Sequence, residues 1–326
     1  FSDIKDSGVY QIKYGESVSP IFRIDNNIYN RGVWQPVLEY FLPVQMCHMR
    51  VNEKYRVWHD ACHMDDAQMA PAHNHIDGYD QKEGLSKFKP GEIVEGVNIG
   101  GWHDAGDFDL RIESQAGECY ILALAYEAFH PELDVTSIDQ INRITEIHQA
   151  DGKNDLLQQV ENGALSVVNS YLALGRLYRG IICNGLRQYV LLGDASAMTD
   201  GEIGNDDDRW IFTEDNPMRE MSTAAQLAAT SRVLKGFNDT LSTHCLNIAR
   251  EIFEHTGKDN PRIAFAKIQA AVELYLSTKE QSYLDYLFAN QELITKQIGQ
   301  TAWYTARVEK LIAQMKGKKA KAFSKA

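Results

Sequence analysis

The sequence is poor in several things that would have decided its class. No apolar run approaches the ~20 residues needed to cross a bilayer as a helix, so a helical membrane protein is not expected. Positive charge is in deficit: 33 Lys and Arg stand against 45 Asp and Glu, leaving a formal net charge of −12. Binding to a phosphate backbone needs clustered Lys and Arg, and the one basic cluster, Lys316, Lys318, Lys319, Lys321 and Lys325, reads as a solvated tail. Nucleic-acid and membrane partners are therefore not expected. Cysteine is scarce and odd in number, five in 326 residues. Their wide spacing is not that of a disulfide framework. Cys119 and Cys245 fall in helical apolar patterns and read as buried thiols. No fixed-period self-similarity is visible, which disfavours a repeat array. The chain opens at Phe1 with no signal-peptide pattern, an opening that says little.

What is present is enough apolar material for a sizeable core, 44% of the residues, and a length of about two ordinary domains, or one large domain with an appendage. Val9, Tyr10, Ile12 and Tyr14, then Ile21, Phe22 and Ile24, flank a Gly15-Glu16-Ser17 turn signal and predict two short strands in a hairpin. From about Tyr29 the spacing turns helical, with Val33, Val37, Leu38, Phe41 and Leu42 predicting a helix that runs to Met49 across a kink at Pro43. Residues 52–109 have no periodicity and are rich in Gly, His and Asp; so long a loop in a compact domain is usually functional. Everything beyond reads as helix. The first begins at Ser114 and stops at Pro131, and others cover 156–171, 224–234 (ending at Gly236) and 241–253. One opened by Pro261 follows, then 283–294 and 303–315. Successive antiparallel helices with Ala-rich faces suggest a toroid or solenoid.

The informative run is Gly100-Gly101-Trp102-His103-Asp104-Ala105-Gly106-Asp107-Phe108-Asp109. Asp104 and Asp107 lie three apart with only Ala and Gly between them, so both can face one side of a turn and leave the floor of a cleft open. Like charges that close raise one pKa or recruit a shared water or cation, as a general base requires. A calcium loop or a helix N-cap with a spare Asp is the competing reading. Upstream, Cys47 and Cys62 are each followed directly by His. By spacing alone, a buried Cys47 thiol beside surface histidines (His48, His59, His73, His75) is the better explanation.

The run GGWHDAGDFD resembles the GGW-[HY]-DAGD motif of glycoside hydrolase family 9, mostly inverting β-1,4-glucanases. Gly8–Ile24 is similar to the last strands of the immunoglobulin-like module that precedes many catalytic domains of this family. The later helices follow the order of its (α/α)6 barrel. The resemblance thus implies a mainly α chain: residues 1–26 as the end of a β-sandwich module, and 27–326 as an incomplete (α/α)6 toroid. It implies Asp107 as the catalytic base and Asp104 as a holder of the attacking water. Trp102, which flanks the base, and Trp210 are candidate sugar-stacking platforms, since apolar sugar faces pack on aromatics, and either could equally be core. The proton donor of the family is a Glu near the end of a longer catalytic domain. The chain is expected to stop short of it, since Glu280, Glu292 and Glu309 all read as helix-surface residues. Cys47, Cys62, His63 and His103 match the positions that hold a structural zinc in members with the module, and two thiolates with two imidazoles suit a closed tetrahedral Zn2+ site. His48 and His59 are the substitutes. Calcium is the second implied ion, at Asp206, Asp207 and Asp208 with Asp200, Glu202, Glu214 and Asp215, although a solvated acidic loop is the default there.

The expected substrate is a β-linked oligo- or polysaccharide, a β-1,4-glucan first. Two alternatives are an exo-acting β-glucosaminidase drawn to cationic sugars by Asp60, Asp65, Asp66, Asp77 and Asp80, and a non-catalytic sugar-binding fragment. Family habit implies secretion or the periplasm, while the odd cysteine count fits a cytoplasmic, reducing compartment equally well.

Overall fold

The computed structural model of the protein describes residues 3–30, 32–74, 77–183, 195–256 and 263–325; His75 and Pro261 lie outside them. The N-terminal segment is a pair of nested antiparallel hairpins. β1 (Gly8–Tyr10) pairs with β4 (Phe22–Ile24), and β2 (Lys13–Tyr14) with β3 (Ser17–Val18) across the Gly15 turn. The helix expected through Met49 is much shorter. A π-helical turn, Val37–Phe41, runs into α1 (Leu42–Gln45), and Pro43 sits in the first turn of α1, where its missing N–H is no loss. Only Leu38 and Leu42 of that stripe are buried, while Val33, Val37 and Phe41 face out. The chain has left the helix by Met46, which bridges to Trp102.

Two four-stranded sheets replace much of the expected loop and interrupt the expected helices. One is built from β5 (Arg50–Glu53), β6 (Arg56–His59), β11 (Thr136–Asp139) and β12 (Ile144–Ile147), in the order β11-β12-β5-β6. The other takes β7 (Gln68–Met69), β10 (Leu110–Arg111), β13 (Tyr178–Cys183) and β14 (Arg209–Thr213), in the order β10-β13-β14-β7. A small hairpin, β8 (His73–Asn74) with β9 (Asp80–Gln81), lies in the loop between. These strands escape a periodicity search because β13 and β14 are buried on both faces and read as short apolar runs.

The helical body begins with α2 (Ile112–Phe129), which leaves β10 directly, two residues ahead of its Ser114 start signal. It ends on His130, whose left-handed backbone returns its N–H to the Tyr126 carbonyl. α3 (Asp155–Leu174) is capped by Asn154, which accepts from the Leu156 and Leu157 amides, and closes on Gly175. α4 (Pro217–Leu234) and α5 (Asp239–His255) carry Asn caps at Asn216 and Asn238. α6 (Ala264–Thr278), α7 (Gln281–Ala289), α8 (Gln291–Lys296), α9 (Ile298–Ala313) and α10 (Lys318–Lys325) follow. α4 is the hub, packed on α2, α3, α5 and α6. Its Ala224, Ala225, Ala228 and Ala229 are all buried and let these helices approach closely. Glu273, with no exposed surface, accepts from Arg232, Arg307 and Tyr120, so one carboxylate ties α6 to α4, α9 and α2. No helix among the described residues is long and apolar enough to cross a membrane.

Gly163 in α3 is the tightest point of this packing. A Cβ there would lie 2.3 Å from the Trp102 ring and 2.6 Å from the Cys119 sulfur. Alanine in a helix interior ordinarily gains ~1 kcal/mol over glycine. Here overpacking reverses the sign, and Gly163→Ala is expected to lose about 2 kcal/mol in urea denaturation.

Candidate active site and thiolate–imidazole cluster

The Gly-Gly-Trp segment is threaded between α2 and α3. Gly101 donates its N–H to the Asn162 carbonyl, 3.1 Å, and the Asn162 side chain donates back to the Gly101 carbonyl, 3.1 Å. Gly100 has a left-handed backbone, and a Cβ on it would meet the Asn162 carbonyl at 2.2 Å, so neither its conformation nor its neighbour admits a side chain. Trp102 follows into the core, 2% exposed, its indole N–H donating to Gln159 at 2.8 Å. This corrects the expected role. Trp102 pins the loop to α3 and offers no face to a sugar. Trp210 is half-buried and packs edge-on against His73.

The pinned segment delivers a tight loop. The Asp104 amide donates to the Asp109 carbonyl, 3.0 Å, and Phe108, with a left-handed backbone of φ 51°, donates to the Ala105 carbonyl, 3.1 Å. The two expected catalytic carboxylates part company here. Asp104 lies at the surface, 3.2 Å from Arg111. Asp107 is 1% exposed, with neither carboxylate oxygen hydrogen-bonded. Its near neighbours are Asp77 and Asp109, one oxygen from each of the three lying within 4.8 Å of the others. Asp109 accepts from Tyr79 and, at 2.8 Å, from Arg111, which also holds Asp77. Burial pushes the Asp109 carboxyl up to about 6, Asp107 adds to the rise, and Tyr79 and Arg111 oppose it. Tyr79 reaches Asp109 because residue 180 is glycine: a Cβ there would stand 2.4 Å from its ring. The i, i+2 spacing of Asp107 and Asp109 was the available signal for this pairing. For Tyr79 and Arg111 there was none.

The second constellation closes beside the first. Cys47 and Cys62 lie with their sulfurs 4.0 Å apart, Cys47 Sγ is 3.7 Å from His63 Nδ1, and Cys62 Sγ is 3.4 Å from His103 Nε2. All four side chains are buried and both cysteines are free thiols. Burial and the Arg209 charge push His63 down to about 4, keeping its imidazole neutral as a ligand must be. His48 stands outside the Cys47, Cys62, His63 and His103 group and converges instead with Cys47 and Asp66, one atom of each within 4.8 Å. Burial opposes its charge, but Cys47 and Asp66 outweigh that and raise it to about 9; it donates to Asp66 at 2.7 Å and to the Gly100 carbonyl at 2.9 Å. His59 sets its Nδ1 on the Asp60 carbonyl at 2.9 Å.

The acidic loop expected to take calcium is satisfied largely by itself. Asp207 accepts the Asp200 amide, Asp200 accepts the Glu202 amide and the Asn205 side chain, and Asp208 accepts the Gly204 amide. Asp65, Asp200 and Asp207 converge within 4.8 Å, fewer than the six to eight oxygens calcium takes. Glu214 is instead paired with Arg219.

Against known proteins, residues 37–325 match the model of glycosyl hydrolase family 9. The chain belongs to that family. Endoglucanase D of Acetivibrio thermocellus is 21% identical over 272 residues, 82% of this chain and 38% of the relative. A Bacteroides ovatus family 9 protein superposes with a TM-score of 0.61 at 16% identity, covering 100% of this chain and 60% of that one. A Zn-binding triple mutant of a family 9 endoglucanase gives 0.63 at 20%, over 88% and 52%. The fold is thus the (α/α)6 barrel of family 9, and the chain spans between 38% and 60% of these relatives' lengths.

Glu118, nearly two turns into α2, stands near this site with its buried Oε2 lacking a hydrogen-bond partner. Burial, then the Asp104 charge, push it up to about 7. A carboxyl raised in the folded state binds its proton more tightly than the unfolded chain does, so its contribution to stability is full below pH ~4.5 and is lost as pH rises to ~7. Glu118→Gln is therefore expected to be more stable than the parent by ~1–2 kcal/mol at pH 8, discounted for its partial exposure. Urea titrations should show that gain vanish at pH 4.

Proposed function

We propose that this chain carries the base side of an inverting β-1,4-glucan hydrolase, with Asp107 as the general base. The observation that carries the reading is a carboxylate in the family motif that is buried with both oxygens left without a donor. Buried polar atoms are nearly always partnered, and an exception calls for a reason. A carboxylate kept free of donors is an acceptor held open for a proton. In single displacement, Asp107 takes a proton from water as that water attacks the anomeric carbon, and the glycosidic oxygen leaves with a proton from a carboxylic acid on the opposite face. The two carboxyls must stand ~6.5–9.5 Å apart to seat the water. Asp104, at the mouth and steadied by Arg111, orients the water. Glu280, Glu292 and Glu309 are exposed and none suits the donor. An uncharged glucan suits the site better than a cationic amino sugar. Of the acids that would attract the latter, Asp66 is bound to Arg209 and His48, Asp77 to Arg111 and Asp60 to Arg50.

We read the cluster of Cys47, Cys62, His63 and His103 as a structural zinc site. A tetrahedron with Zn–S ≈ 2.3 Å and Zn–N ≈ 2.0–2.1 Å has edges of about 3.8 Å between sulfurs and about 3.6 Å between sulfur and nitrogen. The three separations found differ from these edges by a few tenths of an ångström. With four protein ligands there is no open position, so the ion would supply cross-linking and no Lewis-acid step. It would hold His103 fixed beside Asp104.

Cellopentaose hydrolysis followed by proton NMR and mass spectrometry tests the base. Asp107→Asn is expected to cut kcat by ~10²–10⁴ while leaving oligosaccharide binding intact, and the first product should be the α-anomer. A β-anomer first, or full activity in the variant, sinks the reading. Binding without cleavage by the unaltered chain would make it a sugar-binding unit whose proton donor lies elsewhere.

A further inference from the structure

Arg209 opens β14, about a hundred residues from the catalytic loop in sequence, yet its guanidinium reaches the centre of everything described above. It is 2% exposed. Nε donates to Asp66 Oδ1 at 2.9 Å, and Nη2 also pairs with the Asp66 carboxylate. Nη2 lies 3.2 Å from the Cys47 sulfur, and Nη1 donates to the Phe108 carbonyl at 2.6 Å. Phe108 is the residue between Asp107 and Asp109, and its left-handed backbone, φ 51°, is what turns that carbonyl toward Arg209. A left-handed conformation costs a residue with a Cβ roughly 1–2 kcal/mol, so something must hold it. A charge-assisted hydrogen bond to the carbonyl is the kind of interaction that can.

We propose that Arg209 is a positioning residue. Braced by Asp66, it clamps the Cys47 thiolate and the Phe108 carbonyl in one rigid fork, so that the thiolate–imidazole cluster and the backbone carrying Asp107 are held in a fixed relation. The proposal rests on the reading of Asp107 and of the zinc site given above. Four N–H donors in one plane serve Asp66, Cys47 and the Phe108 carbonyl at once; an ammonium, a single point on a flexible stem, does not.

The test compares the full chain with Arg209→Lys and with the double variant Arg209→Met/Asp66→Asn, which removes one buried charge of each sign together and so leaves the net buried charge unchanged. Amide hydrogen exchange by mass spectrometry reads the 104–110 segment against α4, α5 and α6. Cobalt(II), which takes the same donors and has thiolate-to-metal absorption, reads the Cys47 sulfur. Both variants should exchange at least tenfold faster over 104–110 with the three helices unchanged. In the double variant the near-ultraviolet thiolate band should move to lower energy, because a sulfur that loses a hydrogen bond gives up its electron more readily. Metal affinity should fall by about tenfold, as when other outer-shell partners are removed. Unchanged exchange over 104–110, or acceleration spread evenly into α4, α5 and α6, would overturn the proposal. An unmoved band would overturn the link to the thiolate. If the unaltered chain takes up neither zinc nor cobalt, the metal reading fails, and the exchange result alone decides whether Arg209 holds the loop.

Discussion

A guanidinium with almost no exposed surface is the constraint on which this site depends. Removing an arginine from water costs several kcal/mol even after relaxation, and Arg209 recovers that only because acceptors surround it. Asp66 takes two of its donors, the Phe108 carbonyl another and Cys47 a fourth. Asp66 in turn holds His48. Two groups that carry positive charge, Arg209 and His48, thereby face the Asp66 carboxylate and the Cys47 sulfur. The Cys62 hydrogen bond and the Arg209 charge hold the Cys47 thiol well below its ordinary range against the effect of burial. The same four side chains come from α1's exit, the loop after β6 and the start of β14, so this cluster ties three stretches distant in sequence to one another.

The carboxylates follow the opposite logic. Arg111 serves Asp77, Asp104 and Asp109 at once, and Tyr79 covers Asp109 from above, its ring stacked on Phe212 at 5.4 Å. Every acid in the group has a cationic or hydroxyl donor except Asp107. Leaving it bare in a buried place works against stability, and the fold offsets that with Trp102 and the interlocked Asn162 and Gln115 bonds that fix the loop to α2 and α3. Stability is thus supplied behind the loop and withheld at its tip.

How legible this was depended on range in sequence. The helices with apolar stripes were visible in outline, because that signal lies within a turn or two of the residue it positions; their caps Asn154, Asn216 and Asn238 were not read. The motif at Gly100–Asp109, and the four-residue cluster as a family resemblance, named the groups that the fold brings together. Trp102 was misplaced because an aromatic beside a catalytic acid reads the same whether it faces substrate or core; only Gly163, sixty residues on, shows which. The strands β13 and β14 were missed because buried apolar runs of five or six residues have no period. Arg209, Tyr79 and Asp66 left no signal, since each acquires meaning from a partner thirty to a hundred and sixty residues away.

Three residues with side chains hold left-handed backbones around the two constellations: His48 at φ 61°, His63 at φ 50° and Phe108 at φ 51°. Such strain persists only where the surroundings over-determine it, and each of the three is bound by a group that needs that orientation. His48 is gripped at both ring nitrogens, by Asp66 and by the Gly100 carbonyl. His63 faces Cys47. Phe108 presents its carbonyl to Arg209 and sets its ring edge-on to His103, centroids 5.0 Å apart. The three strained positions are therefore the junctions where the Cys–His cluster, the buried ion pair and the loop of Asp107 meet. Relaxing any one of them would free a turn of chain that now holds two neighbouring functional groups. Elsewhere a left-handed residue such as His130 closes a helix; at these three positions it sets the angle between the groups of the site.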